Sequence, residues 1–437
     1  MGNQSSVSRD KSNYKKPPRF FYGWVIVASA FTSGLLFYGI GTVAFGIFFR
    51  FMSEGLGWSR GLLASALLVE RGTAFVLSPI LGPLVDKYGP RWVMMGGTIA
   101  LGLGALLMGA VNSPWQFFVA YGGIMTVGVV ALGSISSQTA VAKWFVRKRG
   151  RALAIATMGL SGAGVIIPIP LAFLIQEFTW RGAWIAVALF VFVIGTGASL
   201  VMRRQPEDYG LLPDGEPPLV NQASQGISRT QQTVSLTTEE VNLTMREAAR
   251  TAAFWLLIVS SNVAGMSLMG INIHLVSYLL DNEFSLSSAA GIVTFLYVLQ
   301  TVAKPIWGLS AERLHVRYCI GICYIGGGIG SLLLLGVGSF WGIVIFALVY
   351  GLTRGAISLL TSLAWADYFG RRSLGGIRGI SSVFNIVSGA GGPVLAGLLY
   401  DATGGYTLAF TIFAMSFWVG AVGIVLAKPP LGKQIAA

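Results

Sequence analysis

The sequence predicts an all-α membrane protein in which twelve transmembrane helices form two bundles of six. Three observations predict this fold class. Of the 437 residues, 54% are hydrophobic and only 11% are charged, whereas about a quarter of the residues in an ordinary soluble domain are charged. A glycine-rich polar turn occurs twice at matching places, and one long polar segment divides the apolar sequence into two similar halves.

Apolar segments of transmembrane length follow one another along the chain. A helix needs about 20 apolar residues to cross the hydrocarbon core of a bilayer. The first segment begins with aromatic residues, which suit the membrane interface. The predicted spans are residues 21–49, 59–84, 92–111, 115–139, 151–176, 182–202, 252–280, 286–309, 318–338, 341–365, 374–399 and 405–427.

The glycine-rich turn is GPLVDKYGPR, residues 82–91, and it lies between the second and third spans. Glycines permit a tight turn, and the charged residues of this segment are excluded from lipid. The segment GLSAERLHVR, residues 308–317, repeats the arrangement between the eighth and ninth spans. Glu312 follows its leading glycine at the spacing that separates Asp86 from Gly82.

Two further landmarks recur in the second half of the chain. Phe145 precedes one basic loop and Phe369 precedes another, and the sequence Ser-Gly-Ala-Gly begins at both Ser161 and Ser388. All three repeats are separated by nearly the same number of residues. The repetition predicts two bundles related by a pseudo-two-fold axis, with a transport path between them.

Basic residues predict the orientation, because they lie in alternate loops and the formal net charge is +13. The opposite loops contain only Arg50, Arg60 and Arg181. Both termini are therefore expected in the cytoplasm, and this distribution favours a membrane protein over a nucleic-acid-binding one. Residues 203–250 are polar and are expected to form a largely disordered linker with a short helix near residues 244–250. The predicted domains are a cytoplasmic tail (1–20), a six-helix bundle (21–202), a cytoplasmic linker (203–250), a second six-helix bundle (251–427) and a cytoplasmic tail (428–437).

The turn GPLVDKYGPR resembles the loop between helices 2 and 3 of the major facilitator superfamily, whose pattern is G-x-x-x-D-(R/K)-x-G-x-(R/K). The resemblance extends from about residue 20 to residue 427 and implies that family's fold and alternating-access transport. Within the family, FYGWVIVASAF, LGWSRGLLASALL and IHLVSYLLDNEFS are similar to the monocarboxylate-porter and oxalate/formate-antiporter branches, which move small organic anions. Those branches usually carry an anion-binding arginine in helix 8, where this chain has Gln300 and Lys304.

The two turns are expected to act as a gate on the cytoplasmic side. Asp86 is expected to pair with Arg91 or with basic residues of the loop between helices 4 and 5, and Glu312 with Arg313 or Arg371. Such pairs would hold the cytoplasmic side closed and break when it opens. The alternative is a solvated turn that only sets topology. The predicted gate residues are Gly82, Asp86, Lys87, Gly89, Arg91, Gly308, Glu312 and Arg313.

Ionisable residues inside spans are functional candidates because each costs about 2.5–3.5 kcal/mol to insert. Glu70 lies mid-span and is expected either to carry a coupling proton or to form an ion pair, with Arg71 or another helix. Arg354 lies in span 10, which the resemblance places beside the substrate path. Its guanidinium suits a carboxylate, and the alternative is a salt bridge to Glu70.

The other polar residues at membrane depth are weaker candidates. Lys304 is expected to extend its side chain to the cytoplasmic surface or to supply the missing positive charge. His274 could relay a proton, bind substrate or simply pack. The predicted substrate-binding residues are Arg354, Arg71, His274, Gln138, Gln300 and Asn385, and the predicted proton-coupling residues are Glu70 and His274.

These patterns predict a secondary transporter for a small organic anion, a mono- or dicarboxylate, working by proton symport or anion exchange. It is expected as a monomer in the inner membrane of a cell, with no cofactor, metal or nucleic acid and no enzymatic activity. The sequence G-x-x-x-x-G-K-[ST] of ATP-driven proteins is missing. Two alternatives stay open: efflux of amphipathic drugs or lipids by the same fold and, more remotely, a transporter-like sensor.

Overall fold

The computed structural model describes residues 20–58, 60–215, 243–336 and 340–430. The predicted N-terminal tail up to residue 19, residues 216–242 of the predicted linker and residues 431–437 of the C-terminal tail lie outside the described residues. Within the described ranges every regular element is a helix. The all-α prediction is therefore confirmed.

Twelve long helices, α1 to α12, follow one another along the described chain. Residues 23–56 form α1, which consists of Gly23–Tyr38, a π-helical segment Gly39–Ala44, and Phe45–Leu56. The next helices are α2 (Arg60–Tyr88), α3 (Pro90–Gly109), α4 (Pro114–Trp144), α5 (149–178) and α6 (180–201). The second half comprises α7 (Ala252–Asp281), α8 (Leu286–Arg313), α9 (Val316–Leu335), α10 (Phe340–Phe369), α11 (Leu374–Thr403) and α12 (Thr407–Leu426).

The boundary between α5 and α6 is a single residue. Thr179 has φ 62° and ψ 170°, which interrupts an otherwise continuous helical stretch. Pro168 lacks an amide hydrogen and marks a second irregularity within α5, where the chain nevertheless continues as a helix. If the stretch from Pro168 to Val201, which contains the end of α5 and all of α6, is counted as one helix, eleven helices of the described chain are long and apolar enough to span a membrane. The predicted twelve-helix architecture agrees with this count.

The bundles are held together by close approaches between helices. Gly159 of α5 faces the carbonyl oxygen of Phe31 in α1, and Gly392 of α11 faces that of Met266 in α7. A Cβ atom at either glycine would overlap the neighbouring backbone. Small residues of this kind let transmembrane helices pack closely where lipid supplies no hydrophobic driving force. The two halves therefore use corresponding helices for their internal packing.

The two bundles meet mainly where α2 packs on α11 and α5 packs on α8. Gly82 touches the backbone of Gly375, and Gly150 touches that of Gly308. The leading glycines of both repeated turns thus allow close contact between bundles, whereas the tight turn itself uses Gly89, with φ 84°. We call this face of the molecule, around residues 82–91, 143–151, 308–317 and 367–378, the gate side.

Both described ends of the predicted linker are docked on the gate side. Residues 203–215 lie on the first bundle, where the Asp214 carboxylate accepts hydrogen bonds from the backbone N–H groups of Val146, Arg147 and Lys148 at 2.8–3.0 Å. The backbone N–H of Leu243 donates to the carbonyl of Phe369 in the second bundle. The short helix expected near residues 244–250 is Met245–Ala249. Disorder predicted for residues 203–215 was wrong, because these contacts fix them.

Candidate substrate cavity and gate

A cavity of about 390 Å³ lies between the two bundles. Its lining comes from α1, α4, α5 and α7 to α11 and combines apolar side chains with hydroxyl, amide and cationic groups. This volume lies in the range of small-molecule sites, which are mostly apolar with a few convergent polar groups. Three cationic side chains line it: Lys304, Arg354 and Arg378. No Asp or Glu occurs among its lining residues, all of which belong to the described chain.

Lys304 is buried rather than extended to the surface, with 3% of its area exposed. Its Nζ donates to the backbone carbonyl of Thr157 and, at 2.9 Å, to Ser161 Oγ. Both partners are in α5 of the other bundle. The expectation of a surface-directed lysine was wrong, because α5 approaches α8 closely and offers hydrogen-bond acceptors at that depth. Lys304 has no carboxylate partner among the described residues.

Arg354 lies on α10 with its guanidinium carbon 5.9 Å from the ring centre of Tyr350. It lines the cavity, as its predicted role in substrate binding requires. The alternative of a salt bridge to Glu70 does not occur, since Glu70 pairs with Arg71 at 3.5 Å. Neither of those two residues lines the cavity, and the Arg71 side chain is 51% exposed.

Arg378, on α11, is a cavity residue that the charge pattern assigned to a loop. It is 8% exposed, and its Nη2 donates to Gln138 Oε1 at 2.9 Å and to Ser362 Oγ at 3.2 Å. Ser362 Oγ also donates to Gln138 Oε1. The Nη1 group of Arg378 is buried without a hydrogen-bond partner in the described structure. Its position inside the predicted span 374–399 was the available signal.

The cations occupy different depths of the cavity. Ser362, which holds Arg378, lies eight residues after Arg354 on α10, or about 12 Å along the helix axis. Lys304 lies one helical turn after Gln300, which packs against Gly355. Positively charged side chains thus occur at several depths, from the level of Arg354 to the gate side. An anion in the cavity is therefore close to a cation at each of these depths.

The predicted amides Gln138, Gln300 and Asn385 also line the cavity. Gln300 Nε2 is buried without a hydrogen-bond partner in the described structure. His274 is placed elsewhere. Its Nε2 and Nδ1 lie 3.0 Å from the carbonyl of Pro393 and the hydroxyl of Tyr406, so that Nε2 donates and, in the neutral ring, Nδ1 accepts. This pair of bonds fits the packing role that was one of three expectations for His274.

The gate side is closed by charged groups at both repeated turns. Asp86 Oδ1 accepts a hydrogen bond at 2.7 Å from the Nζ of Lys143, which lies at the end of α4. Asp86 Oδ2 accepts a second one at 2.8 Å from the backbone N–H of Gly376, across the interface between the bundles. Glu312 accepts from Arg151 Nε at 2.9 Å. The expected partners Arg313 and Arg371 are replaced because the Gly150–Gly308 contact brings the start of α5 beside Glu312.

Two more ion pairs cross the interface on this side. Arg149 binds Asp367 at 2.6 Å, and Arg371 binds Glu207 at 3.0 Å while donating to the backbone carbonyl of Lys143 at 2.7 Å. The predicted gate residues Lys87 and Arg91 instead lie over the rings of the aromatic residues that follow them. The cations that tie the bundles thus lie in α5 and in the turn before α11.

Comparison with known proteins agrees with this architecture. The family model described as Major Facilitator Superfamily matches residues 30–298 and 263–436. Human monocarboxylate transporter 6 is 23% identical over 437 residues, covering 95% of this chain and 83% of that protein. The MFS transporter asaE of Aspergillus flavus is 26% identical over 370 residues, covering 83% and 76%. The crystal structure of the human organic anion transporter MFSD10 superimposes with a TM-score of 0.68 at 15% identity, covering 94% and 100%, a likeness of fold.

Proposed function

Because the chain belongs to the major facilitator superfamily, a family of membrane transporters and not of enzymes, we propose that it carries a small organic anion by alternating access. Membership of that family and the multi-pass membrane architecture confirm the resemblance seen in the sequence. The proposed substrate is a mono- or dicarboxylate.

One observation carries the choice of an anion. Lys304, Arg354 and Arg378 line a cavity whose described lining contains no carboxylate. A buried cation without a counter-ion is costly, and a buried donor without an acceptor costs about 1–3 kcal/mol. A carboxylate in the cavity offsets both costs, since it brings negative charge and acceptor oxygens for Arg378 Nη1 and Gln300 Nε2. A neutral or cationic substrate does not.

The roles of the three cations follow from their chemistry. Arginine presents paired N–H groups that match a carboxylate, so Arg354 and Arg378 are assigned to hold it directly. Lys304 supplies a point charge from α8, the helix in which the related branches usually carry an arginine. The name of a similar protein, human monocarboxylate transporter 6, supports the same substrate class.

Two coupling modes are compatible with the cavity. Anion exchange requires only that the protein change between its outward-facing and inward-facing states with either anion bound. Proton symport requires an additional titrating group, and Glu70 and His274 are the proposed ones, although neither lines the cavity. We assign the gate side to the cytoplasm, with both termini there and the chain a monomer in an inner membrane. The closed gate then represents the outward-facing half of the cycle.

The alternative of drug or lipid efflux predicts a mostly apolar cavity and a salt bridge between Arg354 and Glu70. Glu70 instead pairs with Arg71, and the cavity keeps its cations. An apolar substrate would leave those cations without a counter-ion, so we favour the anion. A sensor remains the remote alternative, and it predicts ligand binding without flux.

Counterflow in proteoliposomes tests the proposal. Vesicles loaded with an unlabelled carboxylate are diluted into the same labelled carboxylate, and acetate, pyruvate, oxalate and succinate are compared with their neutral amides. We expect accumulation of at least one carboxylate and of none of the amides, with loss in Arg354→Gln. An imposed pH gradient then separates symport, which it accelerates, from exchange. Accumulation of amphipathic cations or lipids but of no carboxylate contradicts the proposal.

A further inference from the structure

We propose that Arg378 links anion binding to gate opening by exchanging Gln138 of the opposite bundle for the carboxylate of the substrate. This inference rests on the proposed function for the identity of the ligand. The contact between Arg378, Gln138 and Ser362, called here the amide latch, joins α11 and α10 of the second bundle to α4 of the first.

The amide latch is fully inside the protein. Gln138, Ser362 and Arg378 are 3%, 4% and 8% exposed. Among the described residues of the first bundle, Gln138 Oε1 is the acceptor for Arg378, and it accepts hydrogen bonds from both Arg378 Nη2 and Ser362 Oγ. A single amide oxygen therefore joins two helices of the second bundle to the first. Burial to this extent reduces competition with water and strengthens the electrostatic part of a hydrogen bond.

The latch faces the substrate cavity, which all three of its residues line. Arg378 Nη1 is buried without a partner, so the guanidinium is only partly satisfied when the gate is closed. A carboxylate can take two parallel N–H groups of a guanidinium, and such charge-assisted bonds are about twice as strong as neutral ones. Substrate is thus able to displace the neutral amide of Gln138 from Arg378.

The same piece of α4 carries both the latch and the gate. The chain is extended at Gly133, with ψ −168°, and an 11-residue helical segment, Ser134–Trp144, follows it. Gln138 and Lys143 lie five residues apart on this segment, about 7.5 Å along the axis. The Lys143 Nζ donates to Asp86, and the backbone carbonyl of Lys143 accepts a hydrogen bond from Arg371 of the second bundle. Release of Gln138 therefore frees one of the segment's attachments to the second bundle.

This arrangement supplies the difference in affinity that a ligand needs to shift a conformational equilibrium. In the closed state Arg378 Nη2 is engaged by Gln138, whereas in the open state both Nη groups are available to the substrate. The anion accordingly binds the open state more tightly. Arg378 acts here both as a substrate ligand and as the residue through which binding reaches Ser134–Trp144.

Spin-label distances across the gate test the latch without any ligand. Labels are placed at Trp92→Cys and Leu314→Cys, which are exposed gate-side positions on different bundles. The native Cys319 and Cys323 are buried and are replaced by alanine. We expect Gln138→Leu to increase the long-distance, gate-open population about tenfold or more. Asn262→Leu removes an amide whose Nδ2 donates to the Ile258 carbonyl within α7, so it is the matched control and leaves the distribution unchanged.

A substitution that is expected to lower the gate-open population distinguishes loss of the latch from a general packing defect. Gln138→Glu places a carboxylate beside Arg378, so it strengthens the latch, and we expect the gate-open population to fall below that of the parent. Ser362→Ala removes the second donor and serves if Gln138→Leu does not fold, with a smaller shift towards the open state. Unchanged distances in both Gln138 variants overturn the latch.

The response to added acetate, pyruvate, oxalate or succinate tests the link to substrate. At least one of them should raise the open population of the parent and fail to do so in Arg378→Gln. If Gln138→Leu opens the gate but a carboxylate that shows counterflow leaves the distances of the parent unchanged, the proposed coupling is wrong. Failure of the anion assignment itself is seen separately, as the lack of carboxylate counterflow.

Discussion

Asp86→Asn is the substitution whose effect on the gate is best defined by the structure. Asp86 makes two contacts with different consequences: Lys143 Nζ at 2.7 Å within the first bundle and the Gly376 N–H at 2.8 Å across the interface. Only the bond to Gly376 must break when the two bundles separate on the gate side. The substitution keeps an acceptor oxygen and removes the negative charge, so the fold is preserved while the interbundle bond is weakened.

The size of the effect follows from those contacts. A hydrogen bond to a charged group contributes about 1.5–3 kcal/mol and a neutral one about 0.5–1.5 kcal/mol, so the interbundle contact loses about 1–1.5 kcal/mol. Because 1.4 kcal/mol is a factor of about ten, the open-to-closed ratio rises about fivefold to tenfold. Lys143 also loses its counter-ion, and its side chain is 5% exposed. Gate opening hydrates that lysine, which adds to the shift.

The label pair at positions 92 and 314 measures the open population directly. We expect Asp86→Asn to raise it at least about fivefold, and Lys87→Gln to leave it unchanged. Lys87 is the neighbouring exposed cation, which lies over Tyr88 and does not cross the interface. A distribution in Asp86→Asn that matches the parent, in a variant that is folded, would refute the assignment of Asp86 as a gate residue.

Three other predictions concern single contacts. Lys304→Met removes a buried cation that has no carboxylate partner among the described residues. We expect an unchanged or raised melting temperature and at least a tenfold loss of carboxylate affinity. Equal affinity would exclude Lys304 from the site. Gly82→Val places a side chain against the backbone of Gly375 at a cost of about 1–3 kcal/mol, and a larger gate-open population in the label measurement is the expected result. Asp214→Ala removes the acceptor of three backbone N–H groups, so we expect the unfolding free energy to fall by about 1–2 kcal/mol. A lower melting temperature is the expected result. An unchanged melting temperature would contradict the docking of residues 203–215.

The helices were predictable because span length and hydropathy are local properties of the chain. The repeated turns gave the two-bundle architecture for a similar reason, since their spacing is visible without any tertiary information. The interpretation of the glycines needed the structure, however. Gly82 and Gly308 resemble turn residues in the sequence, but they allow contact with the other bundle, and only Gly89 has a positive φ in that turn.

The site was predicted in part. Arg354 lines the cavity as expected, but Arg378 was overlooked because its neighbours are loop cations and the sequence does not show that Gln138 and Ser362 meet it. Lys304 was expected at the surface because a lysine near a helix end usually extends there, and its burial depends on acceptors in another helix. These residues act through contacts between distant parts of the chain, which local pattern does not encode.

Thermal stabilisation of the purified protein tests the central claim, that the cavity holds an organic anion through its cations. A ligand at 100 to 1,000 times its dissociation constant stabilises the folded state by about 2.7–4.1 kcal/mol. We predict that at least one carboxylate among acetate, pyruvate, oxalate and succinate raises the melting temperature, that its amide does not, and that Arg354→Gln abolishes the effect. Stabilisation by amphipathic cations or lipids, with no response to any carboxylate, would contradict the claim and leave only the fold.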